Sequence, residues 1–297
     1  MSKGSNLNYQ LQTCLNQNFR LHFDKHADKK NYEADNSHLI KSVQSKQNLS
    51  DFARTFTNWL KAEGYTKEIK MVKDIDSTIV QKFIDSKIAE GCSLKTLECY
   101  QSYFRKFEKV ILKTFGCKVD YSSTIDRDKI STAPTLKDYA FTREELEKIC
   151  DVKKMSESLA VIKFNIATGS RIQMCEKIRC RDIFITGDEV RVLFLKDKGG
   201  RNREIIIKDA AFADYCKELK KGKMPQDLLF NVKKDSVNQW LYRRCKSLGI
   251  EKSGNHSIRK YWAEDRCEKY GIKQTLKDLG HGEERKALID TYTHALH

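Results

Sequence analysis

The chain has 297 residues, with 56 Lys and Arg against 41 Asp and Glu, a formal net charge of +15 and a pI near 9.2. That length suits about two domains rather than a single core, and the basic balance favours a polyanionic partner, nucleic acid before membrane. No signal peptide is read at the start and no apolar run approaches the ~18 residues of a membrane span, so a membrane role is set aside and the expected location is cytoplasmic.

Ten cysteines raise the question of a disulfide set, and their spacing answers it. There is no C-x-x-C pair, the closest two are Cys175 and Cys180, and no His-x-x-x-His follows at zinc spacing. They are expected to be reduced structural thiols, with no metal site. Proline is confined to Pro134 and Pro225, and a third of the residues are charged, which fits a helix-rich protein.

Residues 1–45 are rich in Asn, Gln, Lys and His and read as a polar N-terminal arm, with a helix expected near Leu11 to Phe23. From residue 46 the pattern becomes helical. Leu49, Phe52, Phe56, Trp59 and Leu60 form one stripe, stopped by Gly64; Ile79, Val80, Phe83, Ile84 and Ile88 form a second, stopped by Gly91. Leu97, Tyr100, Phe104, Phe107 and Ile111 form a third, ended by Gly116. Residues 46–117 are therefore expected to be a small helical bundle, whose other faces carry Lys95, Arg105, Lys106 and Lys109, placed either on DNA or towards water.

Residues 118–137 are polar, contain TAPT and read as a linker. The second domain, 138–297, opens on the capping box Thr142-Arg-Glu-Glu145. A helix over Glu157 to Ala167 leads into Thr168-Gly169-Ser170-Arg171. Three β-rich runs follow, Asp182 to Ile185, Val190 to Leu195 and Glu204 to Ile207, predicting an antiparallel meander. Helices are expected from there onward, including Ser236 to Leu248 and His256 to Tyr270. The fold class is mainly α with a small three-stranded antiparallel sheet.

Attack on a phosphodiester spreads negative charge over its non-bridging oxygens, so catalysis is mostly electrostatic positioning. Guanidinium groups can supply that charge without a metal. Arg171 and Arg259 are the candidates, although most arginines are merely solvated or salt-bridged. His256 strengthens Arg259, because i, i+3 on a helix start places both on one face. Lys198, in the basic turn KDKGGRNR, could protonate a leaving sugar oxygen, with Lys196 competing for the role. His281 follows a helix-ending glycine. Tyr292 is a possible nucleophile; a phenol, with an ordinary pKa of about 10, is inert at neutral pH unless a base or cations assist it.

These motifs, in this order, resemble the tyrosine recombinases, the phage-integrase family, over roughly residues 48 to 294. TGSRIQMCEKIRCRDI is similar to the family's TG-x-R segment, with Ile178 and Asp182 at an aliphatic and an aspartate position. Lys198-Gly-Gly-Arg201-Asn-Arg203 resembles its K-G-x-[KR]-x-R hairpin, and His256-Ser-Ile-Arg259 with Ala263 resembles its H-x-L-R-x-x-x-A helix. Leu279-Gly280-His281 and Tyr292-Thr-His294 resemble its LGH and Y-x-H endings. The pattern departs at Met174, where an acidic residue is usual and Glu176 is the nearest acid, in the gap from His281 to Tyr292, which is longer than in many members, and in the short segment after Tyr292.

The resemblance implies a two-domain clamp on duplex DNA, with a helical core-binding domain and a mostly helical catalytic domain. It implies that Tyr292 attacks the scissile phosphate to give a 3′-phosphotyrosyl link and a free 5′-hydroxyl. Arg171, Arg259 and His281 then stabilise the transition state, His256 assists proton transfer and Lys198 protonates the leaving oxygen. No metal, ATP or other cofactor is expected. Lys95, Arg105, Lys196, Arg201 and Arg203 are expected DNA contacts. The expected partners are double-stranded recombination sites, further copies of the chain in a tetrameric synapse, and an accessory DNA-bending or directionality factor. The expected function is site-specific recombination by an integrase or excisionase of a mobile element. A Xer-like dimer resolvase and a non-catalytic DNA-binding protein of the same fold are the alternatives.

Overall fold

The computed structural model describes residues 6–21, 36–130, 140–195, 197, 202–251 and 254–280. The chain divides into two compact units, with the boundary between residues 132 and 133.

Among the described residues, the first unit is built on four α-helices: α1 (Leu7–Gln17), α2 (Val43–Ala62), α3 (Ser77–Ala89) and α4 (Leu94–Phe115). The three predicted apolar stripes lie on α2, α3 and α4 and meet in one core, in which Phe52, Phe56, Phe83, Phe104 and Phe107 are buried and in mutual ring contact. Side-chain caps start the helices: Ser42, Asp76 and Ser93 each accept a backbone N–H of the first turn.

Two expectations are corrected here. The helix expected in the polar arm near Leu11 to Phe23 is α1, which starts earlier, and its Leu7, Leu11, Cys14 and Leu15 recur at helical spacing and are buried against α2 and α4. The segment therefore belongs to the core, because four apolar side chains on one face suffice however polar the rest is. The expected linker also begins too early. Tyr121 is buried and donates its hydroxyl to Val72 O at 2.5 Å, while Gln101 Nε2 donates to Ser123 O at 2.7 Å, so residues 121–123 are strapped to the bundle.

The second unit opens with α5 (Arg143–Cys150), capped by the predicted box in which the Thr142 and Glu145 side chains satisfy each other's amides. α6 (Glu157–Thr168) follows and is the central helix, buried nearly all round. β1 (Ile183–Thr186), β2 (Glu189–Phe194) and β3 (Arg203–Lys208) form the expected antiparallel meander, with Ile183 opposite Val192 and Phe194 opposite Arg203. Val190, Val192 and Phe194 alternate inward from β2. α7 (Ala210–Lys220) packs on β1 and β2, α8 (Lys234–Ser247) on α6, and α9 (Asn255–Asp278) on both α6 and β3. α9 runs past its predicted end at Tyr270 and breaks at Gly271, whose φ of 76° and ψ of 168° belong to a region open to glycine. Among the described residues, no helix is long and apolar enough to cross a membrane.

Candidate phosphodiester site

The site starts where α6 stops. Gly169 closes the helix in the left-handed conformation, φ 56°, and its N–H caps Asn165 O at 2.8 Å. No larger residue fits, because a Cβ there would lie 2.4 Å from the Trp262 ring carbons. The chain then turns through Ser170 into Arg171, which heads a short 3-10 turn over Ile172–Glu176.

A buried polar network joins this turn to the start of α9. Ser170 Oγ donates to Asn165 Oδ1, Asn165 Nδ2 donates to Asn255 Oδ1 at 3.3 Å, and Asn255 Nδ2 donates to Asn238 Oδ1 at 2.7 Å. The first two bonds tie the loop bearing Arg171 to the helix bearing His256 and Arg259, and the third anchors that helix start to α8.

Arg259 ties the motifs together. It is 1% exposed, and its guanidinium donates through Nη1 to Gly169 O and through Nη2 to Leu279 O at 2.8 Å. The TGSR, HSIR and LG segments therefore converge on one side chain. His256 does not share its environment as expected: Arg259 faces the interior and His256 is exposed at the first turn of α9.

The second centre is Asp197, in the connection between β2 and β3. Its Oδ2 accepts from Arg171 Nη1 and, at 3.3 Å, from Arg203 Nε. Arg203 also donates Nη1 to Asp278 O at 2.6 Å and stacks 3.9 Å above the Phe194 ring. Its Nη2 is buried with no hydrogen-bond partner among the described residues. Burial and the neighbouring Arg259 charge pull the Arg203 guanidinium down to about 9, against the opposing pull of Asp197, and it stays charged at pH 7. Arg203, expected on the DNA-facing surface, is instead an inward residue of β3 whose side chain is 3% exposed, because it opposes Phe194 on the core side of the sheet.

Other acids near the site are committed elsewhere. Asp278, 3% exposed, accepts from Arg266 Nε and Nη2 and from Gln274 Nε2, all at 2.7 Å. Glu176, the nearest acid to the departure at 174, accepts the Lys234 N–H at 2.9 Å at the start of α8, and Met174 is buried in the core. Asp182 accepts the Arg179 N–H at 2.8 Å. The chemistry assembled is thus a low-exposure cluster of Arg171, Arg203 and Arg259 with Asp197 as the bridging carboxylate, an arrangement suited to receiving an anion.

Lys95 and Arg105 lie exposed on α4 of the first unit, Lys95 with a 3.7 Å ion pair to Glu98. Lys106, on the same helix, donates to Ser37 O at 2.6 Å and Leu39 O at 3.0 Å, holding the segment before α2. Lys196, Lys198, Arg201, His281 and Tyr292 lie outside the described residues. Sequence reading missed Asp197, although one signal was available: it is the lone acid inside the basic turn KDKGGRNR. Among the described residues, no group of His, Cys, Asp and Glu could hold a metal ion.

No family model and no curated protein matches the chain. Solved structures do. The XerH site-specific recombinase bound to palindromic difH substrate in a post-cleavage complex is 20% identical, with a TM-score of 0.63 over 97% of this chain and 90% of that one. A lambda integrase dimer bound to a COC′ core site is 14% identical, with a TM-score of 0.64 over 95% of this chain and 76% of that one. The Tn1549 transposon integrase in complex with circular intermediate DNA is 10% identical, with a TM-score of 0.60 over 95% and 94%. The chain has the fold of these DNA-bound recombinases and integrases, the fold that its resemblance to the tyrosine recombinases implies.

Proposed function

We propose that the protein is a site-specific DNA recombinase, of the integrase or excisionase type carried by a mobile element. The observation that carries this reading is the convergence of TGSR, HSIR and LG on one buried guanidinium, Arg259, beside Arg171 and Arg203. A cluster of fixed positive charge at low exposure costs free energy unless an anion completes it. The motif order around it is the one that resembles the tyrosine recombinases.

In this reading Arg171 and Arg259 hold the non-bridging oxygens of the scissile phosphate, and His281 adds a hydrogen bond. The Tyr292 oxygen attacks phosphorus, with His256 assisting removal of its proton. The bond from phosphorus to the 5′ oxygen breaks, and Lys198 protonates that oxygen. The 5′-hydroxyl of a partner strand reverses the step and joins different DNAs, so the energy of the bond is kept and no ATP is consumed. Several copies act together on paired duplex sites. A lambda integrase tetramer bound to a Holliday junction, 14% identical to this chain, supports that part.

A second reading, a Xer-like dimer resolvase, draws support from the XerH match, which spans 97% of this chain and 90% of that one. Cleavage chemistry is tested first, on a nicked duplex whose binding site is recovered by selection from randomised DNA. The expected result is an SDS-resistant protein–DNA adduct that forms in EDTA. Binding without any adduct leaves only the reading of a DNA-binding protein, and cleavage abolished by EDTA points to a metal-dependent nuclease.

A further inference from the structure

The Asp197 carboxylate is 9% exposed as a residue and its side chain 7%, yet it lies between two arginines from different parts of the fold. One oxygen, Oδ2, takes Nη1 of Arg171 and Nε of Arg203. Arg171 and Arg203 have no other carboxylate partner among the described residues. Asp278 is taken by Arg266 and Gln274, Glu176 caps α8 and Glu204 pairs with Arg191 at 2.9 Å. Met174, three residues after Arg171, is apolar and buried and offers nothing to orient it.

The charge arrangement also requires a bridging acid. Arg171 and Arg259 both depress the ionisation of Arg203, which means that the guanidiniums repel one another across a poorly solvated space. A carboxylate between Arg171 and Arg203 offsets that repulsion and fixes where each lies. Only Nη1 of Arg171 is engaged by it, and the side chain keeps 20% exposure, so its remaining donors stay open to an incoming oxyanion.

We propose that Asp197 is a positioning residue, whose carboxylate sets the orientation in which Arg171 meets the scissile phosphate. This rests on the recombinase reading. Asp197 acts through Arg171 and does not touch the reacting atoms. It also couples Arg171 to the far end of α9, because Arg203, held by the same oxygen, donates to Asp278 O. A guanidinium misplaced by about 1 Å lowers a phosphoryl-transfer rate about 10²-fold while leaving most of the ground-state binding intact.

The experiment measures single-turnover adduct formation on the nicked duplex, together with the Kd for that duplex, for a mutant cycle of Asp197→Asn and Arg171→Lys. The amide keeps the shape and an acceptor oxygen but loses the charge. Expected is about a 10²-fold slower adduct with Kd changed less than about threefold. In the Arg171→Lys background the same substitution changes the rate by less than about threefold, because the group it positions is gone. Asp197→Glu, which moves the carboxylate by one methylene, is the second variant: about a tenfold loss, equally absent in the Arg171→Lys background. Additive effects, or Asp197→Asn at the wild-type rate, overturn the proposal while leaving the recombinase reading intact. Wild-type protein that binds the duplex and forms no adduct overturns that reading, and this inference with it.

Discussion

Gly169→Ala tests the packing that places both Arg171 and Arg259. Two penalties add at this position. The left-handed φ of 56° costs an alanine about 1–2 kcal/mol. The new methyl lies 2.4 Å from Trp262 Cδ2 and Cε3, far inside the ~3.5 Å of a carbon contact. Trp262 cannot yield freely, since it is 5% exposed and its Nε1 donates to Ala167 O at 3.0 Å. Forcing the ring aside costs about 1–3 kcal/mol of overpacking and about 1 kcal/mol for the strained indole bond. The expected loss is therefore about 3–6 kcal/mol. Gly280→Ala is the control: its φ is 71°, and its Cβ would meet the Arg203 stem no closer than 3.3 Å, a tight contact instead of a 2.4 Å clash, so the backbone cost of about 1–2 kcal/mol dominates. The assay is urea unfolding followed by tryptophan fluorescence in a Trp59→Phe background, where the remaining two of the three tryptophans, Trp240 and Trp262, report on the second unit. In a Trp262→Leu background, Gly169→Ala should lose its overpacking share and cost about 1–2 kcal/mol. A loss below about 1 kcal/mol, or no relief from removing the ring, refutes the account of this turn.

Arg259→Lys keeps the charge but not the fork that reaches both Gly169 O and Leu279 O, so adduct formation should fall about 10²-fold or more; an unchanged rate in a single-turnover assay contradicts its role. The net charge of +15 predicts strongly salt-dependent DNA binding, with log K against log[salt] falling at a slope of about −5 to −9 for six to ten phosphate contacts; a titration shallower than about −2 contradicts a phosphate-dominated interface. Burial pushes Cys216 up to about 12 and Cys175 and Cys245 to about 11. Their unfolded thiols ionise first, so this stability is complete below about pH 8.5 and is lost as pH rises towards 11–12, by about 1.4 kcal/mol per pH unit per thiol. Arg203, held down to about 9, works in the opposite sense, since the unfolded arginine keeps its proton longer. Cys216→Ala should flatten the alkaline slope of urea stability between pH 9.5 and 10.5 by about one thiol's share; an unaltered slope contradicts the assignment.

The helices of both units are legible because their apolar residues repeat every three to four positions and end on glycines, as at Gly64, Gly91 and Gly116, each with positive φ. The meander is legible from β-branched alternation, with each strand end moved by one residue. α1 is legible only in part: a helix is expected near Leu11 to Phe23, but its start at Leu7 and its burial are hidden, because the stripe of Leu7, Leu11, Cys14 and Leu15 is diluted by Asn and Gln and one member is a cysteine. Arg171 and Arg259 are legible as motif members, but their surroundings are not. The pairing of Arg171 with Asp197 joins residues 26 apart, and the Arg259 bond to Gly169 spans 90. No periodicity records such contacts, since they depend on how α6, α9 and the sheet pack. Arg203 shows the same limit: a basic turn suggests a solvated arginine, whereas strand register turns it inward beside Phe194.

The proposed function rests on Tyr292 becoming covalently joined to the 3′ side of the cut. Protease and nuclease digestion of the adduct, followed by mass spectrometry of the residual peptide, tests it directly. One nucleotide-bearing peptide is expected, modified at Tyr292 through a 3′-phosphate and lost in Tyr292→Phe. A nucleotide on any other residue, a 5′-phosphate linkage, or an adduct that survives Tyr292→Phe would contradict it.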